Sequence, residues 1–233
     1  MSGVTLEAMR HFGAVVEEDT GLEHFVVAPQ GYHGRDLTVE ADASTATYFA
    51  ALAAVTGGQI TLANLTPGTL QPDYGFMAVL ERLGCTVANG GDGVTIVGPD
   101  CLRGGFTVDM RPLSDAAPTL AAIAPFADSP ITITGVEHIR HHECGRIDAM
   151  CRSLSSLGVP VEEHPDGLTI RPARPRLAVL DTFEDHRIAM SLSVLGAAAE
   201  GVELLNPACV SKTCPTFFDL IGSLGVETTM IAT

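Results

Sequence analysis

Four times along the chain an amphipathic segment ends in an apolar residue, followed at once by glycine and a short strand-like run. The copies are His11-Phe12-Gly13-Ala14-Val15-Val16, Arg82-Leu83-Gly84-Cys85-Thr86-Val87, Ser156-Leu157-Gly158-Val159-Pro160-Val161 and Ser223-Leu224-Gly225-Val226-Glu227. The glycines stand 71, 74 and 67 residues apart. Glycine is expected just where a helix stops, because it takes positive φ without a Cβ penalty. After each of the first three copies a second short strand is predicted, at His24-Phe25-Val26-Val27, Val94-Thr95-Ile96-Val97 and Leu168-Thr169-Ile170. Gly91-Asp92-Gly93 and Asp166-Gly167 supply the turns of two of these hairpins.

A further strand then leads into an acidic residue and a very apolar segment. These passages are Leu37-Thr38-Val39 into Asp42-Ala43-Ser44, Phe106-Thr107-Val108 into Ser114-Asp115-Ala116, and Leu177-Ala178-Val179 into Asp185-His186-Arg187. The aspartates lie 73 and 70 residues apart, and the segments they precede, 43–55, 116–127 and 188–199, read as helices with no polar face. Such helices must be buried on all sides. Aspartate at a helix start accepts hydrogen bonds from free N–H groups and suits the positive dipole end, so the plainest reading of all three is N-capping. Three equivalent buried helices should lie side by side and point the same way. Their N-termini would then share one face rich in unpaired N–H groups, a ready anion site.

Charge and cysteine usage narrow the partners. The formal net charge is −15, which argues against nucleic acid and anionic membranes. The longest apolar runs, near 114–127 and 186–199, fall short of the roughly 20 residues that span a bilayer. Met1-Ser2-Gly3-Val4 opens no signal peptide, and the six cysteines form no C-x-x-C pair. A cytoplasmic protein with reduced thiols is expected. Cys214, close to the single lysine Lys212, is read as a buried inert thiol.

Four segments place ionisable residues near predicted helix starts: Leu113-Ser114-Asp115-Ala116-Ala117, Arg140-His141-His142-Glu143-Cys144-Gly145-Arg146, Asp185-His186-Arg187-Ile188-Ala189-Met190 and Val210-Ser211-Lys212-Thr213-Cys214-Pro215. Arginine is stabilised at a helix C-terminus, so Arg146 and Arg187 at N-terminal turns are misplaced for stability alone. Solvation would relieve each one singly; an anionic ligand would relieve them together. Guanidinium grips carboxylate or phosphate bidentately, and an ammonium adds a point charge. His138, His141, His142 and Glu143 can also be read as a metal cluster, but no spacing among them fixes a coordination geometry.

These segments resemble the P-D-A-A, K-E-[ST]-D-R, D-H-R-M-A-M and K-T-F-P motifs of the 5-enolpyruvylshikimate-3-phosphate synthase family. Asp42-Ala43-Ser44-Thr45-Ala46-Thr47-Tyr48-Phe49 resembles its D-A-S-x-A-x-Y-F helix. The motifs occur in the family's order, from about Thr5 onward. The resemblance implies an α/β fold, with an enolpyruvyl-transferase-like domain of three repeated βαβαββ units and buried parallel helices. Residues 1–40 would be a remnant of an N-terminal domain, and residues 41–233 the C-terminal domain. It implies transfer of the enolpyruvyl group of phosphoenolpyruvate to the 5-hydroxyl of shikimate 3-phosphate, with release of phosphate and no metal or organic cofactor. Arg146, Arg187 and Lys212 fall on phosphoenolpyruvate-binding positions. Asp115 and Glu143 fall on positions that handle protons at the shikimate hydroxyl and the phosphoenolpyruvate methylene.

Two departures bear on activity. The family's N-terminal half is not present, so the expectation is a natural half, an excised piece or a remnant that needs a separate N-terminal half, or that self-associates. In addition His142 stands where the family has lysine, Gly145 where it has aspartate, and His138 where it has asparagine. His138 and His142 fall on the shikimate side of the pocket, where a neutral imidazole is a weaker phosphate ligand than lysine. Transfer to another acceptor such as UDP-N-acetylglucosamine, or a non-catalytic phosphometabolite-binding relative, are the alternatives.

Overall fold

The computed structural model describes residues 2–21 and 23–231. The chain opens with helix α1 (Ser2–His11) and an antiparallel hairpin of β1 (Val16–Glu18) and β2 (Phe25–Val27). These pack on a small core of Leu6, Ala14 and Val16, separate from the main core that begins at Ala43. Next come α2 (Ala43–Thr56), β3 (Gln59–Ala63), α3 (Phe76–Arg82), β4 (Thr86–Gly90) and β5 (Gly93–Val97), with the strands in the antiparallel order β3-β5-β4. Then β6 (Phe106–Asp109), α4 (Ala117–Ile123), β7 (Ile131–Thr134), α5 (Arg146–Ser156), β8 (Val161–His164) and β9 (Gly167–Ile170) form a mixed sheet, β6-β7-β9-β8, in which only β6 and β7 are parallel. Finally β10 (Val179–Asp181) pairs in parallel with β11 (Glu203–Leu205) around α6 (His186–Ala198), and α7 (Phe217–Ser223) follows.

The four repeat glycines stop four helices in the same way. Gly13, Gly84, Gly158 and Gly225 have φ of 89°, 95°, 76° and 95°. At each, two backbone bonds close the last turn; after α3 these run from Gly84 N to Glu81 O and from Cys85 N to Leu80 O. That is the paired closure of a Schellman motif, which satisfies carbonyls the helix leaves free.

Helices α2, α4 and α6 pack against one another through nearly all-apolar surfaces. One polar row crosses them: Thr47 Oγ1 meets Thr119 Oγ1 at 3.5 Å, and Thr119 Oγ1 meets Ser191 Oγ at 3.4 Å. All three side chains are buried, and each contact joins residues 72 apart in sequence. Equivalent positions of successive segments therefore touch inside the core, which sets the three helices at one level.

Several sequence expectations need correction. Among the described residues only β6-α4-β7-α5-β8-β9 has the full βαβαββ order. Leu37-Thr38-Val39 forms no strand and pairs with no strand among the described residues; the Asn64 side-chain amide donates to the Val39 carbonyl. Among the described residues the strand-like run after Gly225 forms no strand. The predicted strand at 177–179 forms two residues later, at Val179–Asp181. The predicted helix over 116–127 is α4 followed by a separate 3-10 turn at Ala124–Phe126, since Pro125 lacks the N–H that would continue the helix.

Replacing Gly84 by alanine should lower stability by about 1–2 kcal/mol through backbone strain. A Cβ there meets only the Arg103 side chain, at an ordinary 3.5 Å, so sterics should add little. Urea unfolding of Gly84→Ala checks this, and an unchanged midpoint would contradict the capping argument.

Candidate active site

Two of the three aspartates cap helices as expected. Asp42 accepts from Ser44 N and Thr45 N, and Asp185 accepts from Arg187 N at 2.8 Å. Asp115 does not. It sits in the 3-10 turn Arg111–Ala116, and α4 begins only at Ala117, with no side-chain cap. Pro118 occupies the first turn of α4, where proline is favoured, and this sets the helix start past Asp115. The carboxylate is thereby free for other partners.

Those partners are arginines. Arg146 Nη1 lies 2.9 Å from Asp115 Oδ1, and Arg187 Nη2 lies 2.9 Å from Asp115 Oδ2. Arg146 also reaches Asp185, Nε to Oδ2 at 2.7 Å. Arg146 and Asp185 are 2% and 0% exposed, so this is a dry ion pair joining the starts of α5 and α6. Burial alone would push Asp185 up; the Arg146 guanidinium and the Arg187 backbone N–H outweigh it and hold the carboxyl below the usual range. The two residues ahead of Asp185, Phe183 and Glu184, both have positive φ, 54° and 55°. Such strain in non-glycine residues is tolerated where surrounding contacts fix it, and it often accompanies functional sites.

Glu143 forms the second centre. Its Oε1 contacts Lys212 Nζ, and its Oε2 lies 2.9 Å from Nδ1 of the buried His186. Burial pushes His186 below its ordinary value, with Glu143 opposing and Arg187 assisting. His142 Nδ1 faces Arg146 Nη1 at 3.1 Å, and His138 Nε2 faces the Ser114 hydroxyl at 2.9 Å. The two imidazoles stack edge-to-face with centroids 5.6 Å apart. Burial and then Arg146 hold His142 below 6.5. Since Arg146 can only donate, His142 Nδ1 accepts and the ring is neutral.

Asp115, Glu143, Arg146, Arg187, Lys212, His138 and His142 thus converge on one site, while His141 makes no hydrogen bond or ion pair among the described residues. From the sequence Asp185 was expected only to cap α6, and no role was expected for His186, Tyr48 or Asp73, the last a buried carboxylate bonded by the Ser44 hydroxyl. Glu143, Asp185 and His186 hold donor atoms within 4.8 Å of one another and could in principle grip a cation, but Lys212 and Arg146 already occupy the carboxylates. A guanidinium at His142 Nδ1 likewise opposes a metal on the histidine cluster. Cys144 Sγ bonds Asp185, and burial, with Asp185 beside it, pushes the thiol up to about 12. Burial also raises Cys214, in keeping with an inert thiol. A groove of about 620 Å³ between α2, β3 and α7 includes none of the charged cluster. Among the described residues no helix is long and apolar enough to cross a membrane.

Residues 3–221 match the family model for EPSP synthase (3-phosphoshikimate 1-carboxyvinyltransferase). The chain belongs to the EPSP synthase family. It is 51% identical over 226 residues to a 3-phosphoshikimate 1-carboxyvinyltransferase 2 of Halalkalibacterium halodurans, covering 96% of this chain and 51% of that one. It is 42% identical to a 3-phosphoshikimate 1-carboxyvinyltransferase of Trichormus variabilis, covering 92% and 50%. An EPSP synthase structure from Acinetobacter baumannii superposes with a TM-score of 0.82 at 25% identity, over 96% of this chain and 54% of that one. The chain therefore spans about half the length of the curated relatives it matches.

Two outcomes follow from the geometry. Asp185→Asn leaves the buried Arg146 with a partner that cannot carry charge, and should cost about 3–5 kcal/mol in chemical denaturation. His142 is harder to protonate folded than unfolded, so its contribution to stability is lost as pH falls below 6.5. His142→Gln should flatten the decline of unfolding free energy between about pH 6.5 and 5; an unaltered slope would mean that His142 does not titrate in that window.

Proposed function

We propose that this chain carries the phosphoenolpyruvate-binding side of an enolpyruvyl transfer site, acting on shikimate 3-phosphate once an N-terminal half completes the pocket. The observation that carries the reading is Asp115: a carboxylate that gives up a cap and is shared between two arginines, beside a second carboxylate shared between Lys212 and His186. On this reading the three units behind the site are versions of one βαβαββ pattern, which among the described residues is complete in the middle one. Residues 1–40 belong to a different domain from residues 41–233, and the protein works in the cytoplasm.

The chemistry adds an alcohol oxygen to the vinyl carbon C2 of phosphoenolpyruvate. The hydroxyl proton passes to a carboxylate, Asp115, and a proton is delivered to the methylene carbon C3 from Glu143. Glu143 then takes a proton back from C3 as the C2–O bond to phosphate breaks, which restores the double bond as an enol ether and releases inorganic phosphate. Arg187 and Lys212, the less buried cations, meet the ligand phosphate and carboxylate, while the buried Arg146 holds the frame. An incoming anion competes for these cations and loosens their grip on Asp115 and Glu143, which exposes both carboxylates as proton carriers.

A second reading, transfer to a different acceptor such as UDP-N-acetylglucosamine, is favoured by one observation. His142 is neutral and committed to Arg146, so the shikimate side lacks the cation the family places there. A non-catalytic, phosphometabolite-binding protein is the outcome if no acceptor supports turnover. Pairing with a separate N-terminal half or with a second copy would bring the rest of the pocket.

Phosphate release from phosphoenolpyruvate plus shikimate 3-phosphate tests the proposal. The chain alone should release none above background, and adding an N-terminal half from a relative should start turnover. Asp115→Asn should then abolish it, lowering the rate by at least about 100-fold. Calorimetry on the chain alone should rank phosphoenolpyruvate above shikimate 3-phosphate; the reverse order would count against the assignment.

A further inference from the structure

Arg146 is held by acceptors, and one of them is a histidine, the side chain whose charge ordinarily changes near neutral pH. Nε and Nη2 of Arg146 point to Asp185, at 2.7 and 3.5 Å. Nη1 divides its two hydrogens between Asp115 Oδ1, at 2.9 Å, and His142 Nδ1, at 3.1 Å. A guanidinium never accepts a hydrogen bond. The contact with His142 therefore lasts only while that imidazole keeps a lone pair on Nδ1. One added proton turns it into two cations whose N–H groups face each other across 3.1 Å.

Burial decides which of the two gives way. Arg146 is withdrawn from water and anchored at its far edge by Asp185, so it stays. His142 is exposed and stands between the 3-10 turn Glu137–His141 and α5, so its side chain can turn. Turning leaves a buried Nη1–H without an acceptor, which is costly. The other groups near His142 are already committed. His138 bonds the Ser114 hydroxyl and meets His142 only through the ring edge. Asp115 Oδ2 serves Arg187, and Asp185 serves Arg146 and the first turn of α6. Glu143 lies on Lys212 and His186. Two cationic donors are then left beside Asp115, and a carboxylate or phosphate oxygen suits both.

We propose that His142 is a proton-gated anion ligand: neutral, it closes off Nη1 of Arg146; protonated, it turns away and shares with Arg146 an anionic group of the acceptor, beside Asp115. Anion uptake on this side of the pocket is thereby coupled to uptake of a proton. Burial, and then the charge of Arg146, hold His142 below its ordinary value, which puts the gain in affinity below pH 6.5 and its loss at higher pH. This rests on the reading of the charged cluster as an anion site.

Calorimetric titration with sulfate, an anion whose own charge is constant across this range, tests the proposal. The parent chain should bind sulfate about tenfold more tightly at about pH 5.5 than at about pH 7.5, the scale of one hydrogen bond between charged groups. His142→Gln still offers Arg146 an acceptor but gains no proton, so its affinity should change less than about threefold over the same range. His142→Lys carries a permanent cation and should bind at about pH 7.5 as tightly as the parent does at about pH 5.5. At intermediate pH, the heat measured in two buffers of unlike protonation enthalpy should show greater proton uptake on binding by the parent than by His142→Gln. Equal acid gains in the parent and His142→Gln would assign the effect to other groups and overturn the proposal. Weak binding by His142→Lys at about pH 7.5 would also overturn it, since a charge at this position would then not reach the anion. Either result leaves the anion reading of Arg187 and Lys212 standing. If the parent binds no sulfate at either pH, the anion reading of the whole cluster fails and this proposal falls with it.

Discussion

The contact between Arg146 and Asp185 fixes the geometry of everything around it. Both groups are withdrawn from water, so losing Arg146 would strand the Asp185 carboxylate inside the protein, and losing Asp185 would leave Arg146 with the half-buried Asp115 as its carboxylate partner. A buried pair of this kind does little for net stability against an apolar replacement, but it tolerates very few arrangements. It locks the first turn of α5 to the first turn of α6. The remaining nitrogen of Arg146 then decides where Asp115 and His142 must sit. Three chain segments, distant in sequence, are brought into register by one guanidinium.

That arrangement explains why arginines stand where helix electrostatics disfavours them. Arg146 and Arg187 both occupy opening turns, near the positive end of the helix dipole. Each has a carboxylate within 2.9 Å that offsets the penalty. The left-handed residues Phe183 and Glu184 belong to the same compromise, since they turn the chain so that Asp185 can cap α6 and hold Arg146 together.

Much of this was legible in the sequence, for identifiable reasons. Glycine at a helix end has a strong local cause, so the four repeat glycines marked true helix stops. The buried helices announced themselves by lacking a polar face, and the family motifs carried the charged residues. Other features depend on partners far along the chain. Whether Leu37-Thr38-Val39 forms a strand depends on a neighbouring strand, which no local pattern supplies. Asp115 looked like a cap because its spacing matched Asp42 and Asp185; the sign to the contrary was Pro118, which draws the helix start past it. Tyr48, Asp73 and His186 lie in stretches where no period separates a packing role from a polar one. Their environment exists only after α2, α6 and α7 have come together.

The site balances its own charge. Asp115, Asp185 and Glu143 stand against Arg146, Arg187 and Lys212, on a chain whose formal charge is −15. Seen from a distance such a pocket is no beacon to an anion, and the surrounding protein repels it. On the proposed reading this chain supplies no long-range steering, and an encounter would become productive only when an anion arrives close enough to trade places with a resident carboxylate. Recognition of this kind would sacrifice speed of capture for selectivity, because a ligand would succeed only if its own negative groups matched the spacing of the carboxylates it displaced.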